Sequence, residues 1–286
     1  MVKMTSGVIP ISLGQLAFAA VFVIAAFCVM VGMKLGLARE YLWAAIRGSL
    51  QVLALGYVLS WLFHLESGLV VLSVLLFMSG VASLTIAKRV KSIPGTIVPS
   101  AFVVLFFICL LITFTVTGLI VQVRPWYLPQ YVIPVAGMVL GNGMTGIAIA
   151  LNALYRDMES REDEIRGLVA LGATPYEAAQ PSIRAALRAG LIPNINTLAA
   201  VGIVFIPGMM SGQILAGTAP SKAAPYQIVI LFMVSAADAI GSMLATLILY
   251  KRHFAPNGAF VKLNLPQKKS WIQMLTVRIK NRGNES

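Results

Sequence analysis

Long apolar runs alternate along this chain with short charged connections. Seven of the runs reach the length of about 20 residues that a helix needs to cross about 30 Å of hydrocarbon. They extend approximately from Val8 to Met33, Tyr41 to Phe63, Gly68 to Ala87, Ile97 to Val121, Tyr131 to Tyr155, Asn194 to Leu215 and Pro225 to Tyr250. The pattern predicts an all-α polytopic membrane protein with seven transmembrane helices, because helices satisfy their own backbone groups in lipid. The first run follows Lys3 and contains the loosely signal-like Ala17-Phe18-Ala19, but it is too long for a secretory signal and counts as a span.

Composition agrees with a membrane setting. Of 286 residues, 58% are hydrophobic and 11% charged, where soluble chains carry about 25% charged residues. The net charge is +12, yet apolar runs separate the basic residues and leave no continuous basic surface, which excludes nucleic acid as a partner. Cys28 and Cys109 each lie inside an apolar run, which excludes a disulfide scaffold and a Cys-pair zinc motif. The connections after spans one, three and five, together with the tail, hold 18 of the 22 Lys and Arg. The alternate side holds only Lys3, Arg124 and Lys222, and Arg47 stays within span two. The positive-inside rule then places the N-terminus outside and the C-terminus in the cytoplasm of a cell (inner) membrane protein. Trp126 and Tyr127, beside Pro125, read as an outer interfacial anchor.

One cytoplasmic connection is long, about 156–193, and it carries six of the ten acids. Ile165, Leu168, Val169 and Leu171 form a short amphipathic face, and Gly172 is placed to end that helix in a left-handed conformation. Thr174, Pro175 and Glu177 then form a capping-box start. Pro181 predicts an early end, which leaves a short helix at 175–180. Two readings follow: a solvated connector, or a docking element for a soluble partner, since a stiff capped hairpin loses less entropy on binding.

Leu171-Gly172-Ala173-Thr174-Pro175, followed by Tyr176 and Glu177, resembles the coupling segment of ABC-transporter membrane subunits. Val132-Ile133-Pro134-Val135-Ala136-Gly137-Met138 with Gly141-Asn142, and Pro207-Gly208-Met209-Met210-Ser211-Gly212, resemble the FetB-type permeases, an iron-export ABC family. Arg47, Gln51, Gly56 and Tyr57 are similar to that family too, so the resemblance runs from about Arg47 to Tyr250. The importer pattern of Glu-Ala-Ala with a Gly six residues after the Glu is absent, for Arg166 stands six before Gly172. The resemblance implies a non-enzymatic permease subunit, present as a homodimer, that moves metal ions outward with a separate ATP-binding subunit. No Gly-x-x-x-x-Gly-Lys-[Ser/Thr] loop occurs, so ATP and Mg belong on the partner chain and no cofactor on this one.

Several polar residues lie within the spans. Asp238 is near the middle of span seven, where a charge costs about 2.5 to 3.5 kcal/mol or more. It reads either as a cation or proton site on the pathway or as a protonated group bonded to a neighbouring helix. Arg47 and Gln51 share a face of span two, and Arg47 reads either as a snorkelling side chain or as a pathway contact. Asn142 between two glycines, and Pro207-Gly208 with Ser211-Gly212, predict a break or kink in spans five and six close to the pathway. Met138, Met144, Met209 and Met210 read as soft-metal contacts or as adaptable apolar filler. His64 and His253 fall at span ends on opposite sides, so no high-affinity metal site is legible.

Residues 1–255 thus form the permease domain. Residues 256–286 form a basic tail in which Trp271, Ile272, Leu275 and Ile279 recur at helical spacing, read as a helix on the anionic inner leaflet or as a disordered end. A secondary transporter or channel coupled at Asp238 is the rival function. A retinal pigment is set aside because span seven has no lysine before Lys251.

Overall fold

The structure, a computed structural model, describes residues 11–65, 67–90 and 97–261. Lys3, Lys91 and the basic tail from Pro266 to Ser286 lie outside the described residues.

Apolar periodicity gives helices almost throughout. They are α1 Leu13–Gly32, α2 Ala38–Leu62, α3 Gly68–Arg89, α4 Ile97–Phe114, α5 Pro129–Ser160, α6 Glu162–Ala170, α7 Pro175–Ala200, α8 Gly208–Leu215 and α9 Pro220–Leu249. A π-helical turn, Thr115–Ile120, extends α4, and a 3-10 turn, Tyr250–His253, extends α9. Six of these, α1 to α5 and α9, are long and apolar enough to cross a membrane.

The run from Asn194 to Leu215 is not one helix. α7 supplies its first part, the chain turns at Gly202 with φ +79°, and an extended Pro207 starts α8. Glycine supplies the reversal after α7 and the extended Pro207 opens a new helix, so the predicted break in span six is present. The companion break in span five is not: α5 runs unbroken through Gly141-Asn142-Gly143. There the Asn142 amide donates to the Met138 carbonyl, 2.9 Å away, within the helix. The short helix at 175–180 is likewise corrected, because α7 continues through both Pro181 and Pro193. Pro134, Pro181 and Pro225 all fall within the first two turns of α5, α7 and α9. A missing amide so close to a helix start disturbs only the first turn's carbonyls.

The chain forms two compact units. One comprises the described residues of Met1–Leu75, Thr113–Ala136 and Thr197–Met233, and the other those of Leu76–Ile112, Gly137–Asn196 and Val234–Ser286. In the first, Trp126 meets Phe114 edge to face with centroids 5.3 Å apart, and Tyr127 packs over Gly68. Among the described side chains of α1 and α2 most are exposed, and only Leu62 is buried. The second unit holds most of the fully buried side chains, among them Ile86, Leu105, Ile108, Ile147, Leu151, Met158 and Leu249.

Candidate functional site

The first candidate is the tip between α6 and α7. α6 begins with Glu162, Asp163 and Glu164 in its first turn, where the helix dipole favours acids. Arg161 pairs with Glu164 at 2.5 Å and Arg166 with Glu162 at 2.9 Å. These partly exposed pairs stiffen the segment while adding little to its stability. Gly172 takes φ +96°, and the amides of Gly172 and Ala173 bond to the carbonyls of Val169 and Leu168, closing a Schellman motif. The Thr174 amide donates to Glu177 Oε2 at 2.8 Å and the Glu177 amide to Thr174 Oγ1 at 3.3 Å, which completes the expected capping box. The Thr174 amide and hydroxyl hold the Glu177 carboxyl below its ordinary value of 4.5.

Leu171 does not join the buried face with Ile165. It is 87% exposed at the apex. Tyr176 is also partly exposed, while Ala178 and Ala179 turn inward. The tip therefore presents one apolar knob on a frame fixed at both ends by caps.

A neighbouring element gave no signal in the sequence. After the 3-10 turn the chain folds back as a small hairpin, in which the Val261 amide donates to His253 O at 2.7 Å. Gly258, with φ +81°, lies against Pro175, and the Arg166 guanidinium sits 5.6 Å from the Phe260 ring centroid. Tyr250 meets Tyr176 edge to face at 6.0 Å, and His253 meets Tyr155 at 4.6 Å. The hairpin thus props the root of α7 from below.

The second candidate lies deeper in the same unit, where α5, α7 and α9 meet. Asp238, 4% exposed, accepts a hydrogen bond through Oδ2 from Asn194 Nδ2 at 3.2 Å. Its Oδ1 is buried without a partner, as are Ser242 Oγ and Thr246 Oγ1 further along α9. Two glycines permit the approach. A Cβ at Gly146 would overlap Asp238 Oδ1, and one at Gly190 would come within 2.9 Å of Ala150 Cβ and 3.1 Å of Gly146 O. Asp238 was legible as a costly group. Its partner Asn194 and the glycines facing it were not, since nothing local ties positions 146, 190, 194 and 238 together.

The remaining candidates are separate. Arg47 and Gln51 lie exposed on α2, and Asn142 is exposed on α5. In the first unit the Met210 amide donates to Gln227 Oε1 at 3.2 Å, so a buried glutamine of α9 caps α8. Ser211 Oγ donates to Ile206 O at 3.4 Å across the Pro207-Gly208 start. Met209 lines a cavity of about 350 Å³ there, with Thr117, Tyr131, Gln213, Lys222 and Tyr226. Met138 and Met144 belong to the other unit, and no group of three or more His, Cys, Asp or Glu converges among the described residues.

Six long apolar helices, with buried polar groups gathered at glycine-lined crossings, define a multi-pass helical membrane protein. Residues 13–254 match the family described as "Uncharacterised protein family (UPF0014)", and the chain belongs to that family. It is 32% identical over 256 residues, 89% of this chain and 96% of the relative, to the "Probable iron export permease protein FetB" of Escherichia coli (strain K12). It is 34% identical over 230 residues, 80% of this chain and 89% of the relative, to the "UPF0014 membrane protein slr1647" of Synechocystis. It is 29% identical over 245 residues, 83% of this chain and 86% of the relative, to the "Protein ALUMINUM SENSITIVE 3" of Arabidopsis thaliana. No solved structure matches. The family resemblance read from the motifs around Pro134, Asn142 and Pro207 is thereby established.

Proposed function

We propose that this chain is the membrane-spanning subunit of an ABC transporter of the cell (inner) membrane, exporting metal ions, iron among them. ATP is hydrolysed with Mg on a separate subunit, which docks on Leu171, Gly172, Ala173, Thr174, Pro175, Tyr176 and Glu177. The observation that carries this reading is the capped tip, with an exposed Leu171 on a frame that two closed caps hold rigid. Similarity to a protein named as a probable iron export permease supports the cargo.

In this reading the end of α7 and α8 together make the sixth of seven crossings, with the N-terminus outside. That direction keeps the basic residues on the cytoplasmic side and α6 with its acids in water. Two copies pair, and Arg47 and Gln51 on the uncovered α2 face the pathway between them, because an amide at bilayer depth is costly against lipid. Asn142, the Pro207–Ser211 stretch and Asp238 complete the pathway, with the four methionines as weak transient contacts for a soft ion.

The test is co-expression with a candidate ATP-binding subunit. Leu171→Asp leaves thermal stability unchanged, because the side chain is 87% exposed. It removes co-purification and stimulated ATP hydrolysis by roughly tenfold or more, since apolar anchors at the centre of an interface carry most of its energy. Survival of both properties in Leu171→Asp and in Gly172→Ala would overturn the assignment.

A further inference from the structure

Asp238 is the deepest acid in the described spanning helices. The others in them, Glu40, Asp157 and Glu159, lie within a turn of a helix end. Its carboxyl receives one neutral hydrogen bond, from Asn194, and its Oδ1 receives none. The groups placed against it are Gly146 from α5 and Asn194 from α7, with Ser242 of its own helix against the same face of Gly146, and none of these is a cation. An ionised carboxylate in that setting costs several kcal/mol. A neutral carboxyl removes that charge, and Ser242 Oγ, likewise buried without a partner, brings a hydroxyl and no charge to the site. Both groups crowd one spot on α5: from the place of a Cβ on Gly146, Asp238 Cγ lies 2.6 Å and Ser242 Oγ 3.1 Å away. A metal ion with an oxygen shell at about 2.0 to 2.6 Å does not fit between surfaces so closely packed. A proton needs no volume.

Asn194 also connects the carboxyl to the tip. α7 is continuous from Pro175 to Ala200, so Asn194 stands about 28 Å along the same rod that begins in the capping box. Pro193 immediately precedes it and removes a backbone donor, which gives the rod a place to bend.

We propose that Asp238 is a proton-binding site, loaded while α5, α7 and α9 are packed as here and emptied when α7 withdraws Asn194 and Gly190. Withdrawal admits water, the carboxylic acid dissociates to a solvated carboxylate, and its proton passes to that water. Repacking requires a proton to be taken up again from the water on the opposite side of the membrane, so each cycle moves one across. The loaded state stands on the packing alone, whereas the cycle rests on the permease reading above.

Infrared difference spectra of the full chain in lipid nanodiscs read the loaded state without any partner. At neutral pH the wild type minus Asp238→Asn spectrum shows the carbonyl stretch of a neutral carboxylic acid, shifted in deuterium oxide. Carboxylate bands alone would overturn the proposal. In vesicles bearing the chain and its ATPase, the wild type acidifies or alkalinises the lumen as cargo moves. Asp238→Asn loses that pH change and slows transport roughly tenfold or more. A neutral band that never exchanges during turnover, with Asp238→Asn transporting at the wild-type rate, would reduce the acid to a structural role and sink the idea. If no variant moves metal, the permease reading fails, and the infrared band still decides the proton site.

Discussion

Replacing Gly146 by alanine tests the crossing of α5, α7 and α9 most directly. The new methyl would overlap Asp238 Oδ1, and Cγ lies only 2.6 Å from the same place. Rotation about the last side-chain bond therefore does not clear it, and the whole carboxyl must swing or the helices must part. Overpacking of this kind costs about 1 to 3 kcal/mol. Losing the bond to Asn194 adds about 1 kcal/mol, and the better helix propensity of alanine returns about 1 kcal/mol. The net is a destabilisation of about 2 kcal/mol, or a fall in melting temperature on the order of 5 °C for a chain of this size. Gly80 provides the control, since a Cβ there meets nothing within 4 Å. Thermal unfolding of both variants in one detergent and at one scan rate makes the comparison fair where unfolding is irreversible. Equal melting of Gly146→Ala and Gly80→Ala would refute the packing on which Asp238 depends.

Two further outcomes follow. Because the Glu177 carboxyl lies below its ordinary value of 4.5, the capping box stabilises the start of α7 fully above that pH and loses the contribution as pH falls through the lowered value. Hydrogen exchange of the Glu177 amide then accelerates on acidification, and Thr174→Ala, at a cost of about 1 kcal/mol, flattens that response; a wild-type amide indifferent to acid would contradict it. Phe260 is 6% exposed, with its ring 5.9 Å from His253 and 5.7 Å from Phe254. Phe260→Ala costs about 3 to 5 kcal/mol locally and opens the chain after His253 to protease, while unchanged protection would show that the hairpin has another anchor.

What the sequence made legible was local chemistry. Gly172 and the Thr174–Glu177 pair fell where a left-handed cap and a capping box require them, because each motif is complete within a few residues. The break before Pro207 was readable for the same reason. Pro181 misled, since its cost depends on its distance from the helix start, and that start was placed correctly while the end was not. Asn142 misled as well, for an amide between glycines can be satisfied by the carbonyl one turn back. Leu171 fits the amphipathic period of α6 and yet turns outward, because the Schellman reversal begins there. The contacts of Asp238 and the prop beneath Pro175 join residues far apart in the chain, so no spacing rule could have paired them.

The length of α5 bears on how the proposed partner would sense the membrane. Its 32 residues make a rod of about 48 Å, longer than a bilayer of about 40 to 45 Å including its headgroups. In the proposed topology, with Trp126 and Tyr127 at the outer interface, the last turn of α5, near Glu159, passes beyond the headgroups of the far leaflet. A protein seated beyond that turn need not strip water from lipid headgroups. On the proposed reading, its attachment responds to cytoplasmic ionic strength and is largely blind to the anionic-lipid content of the leaflet beneath it.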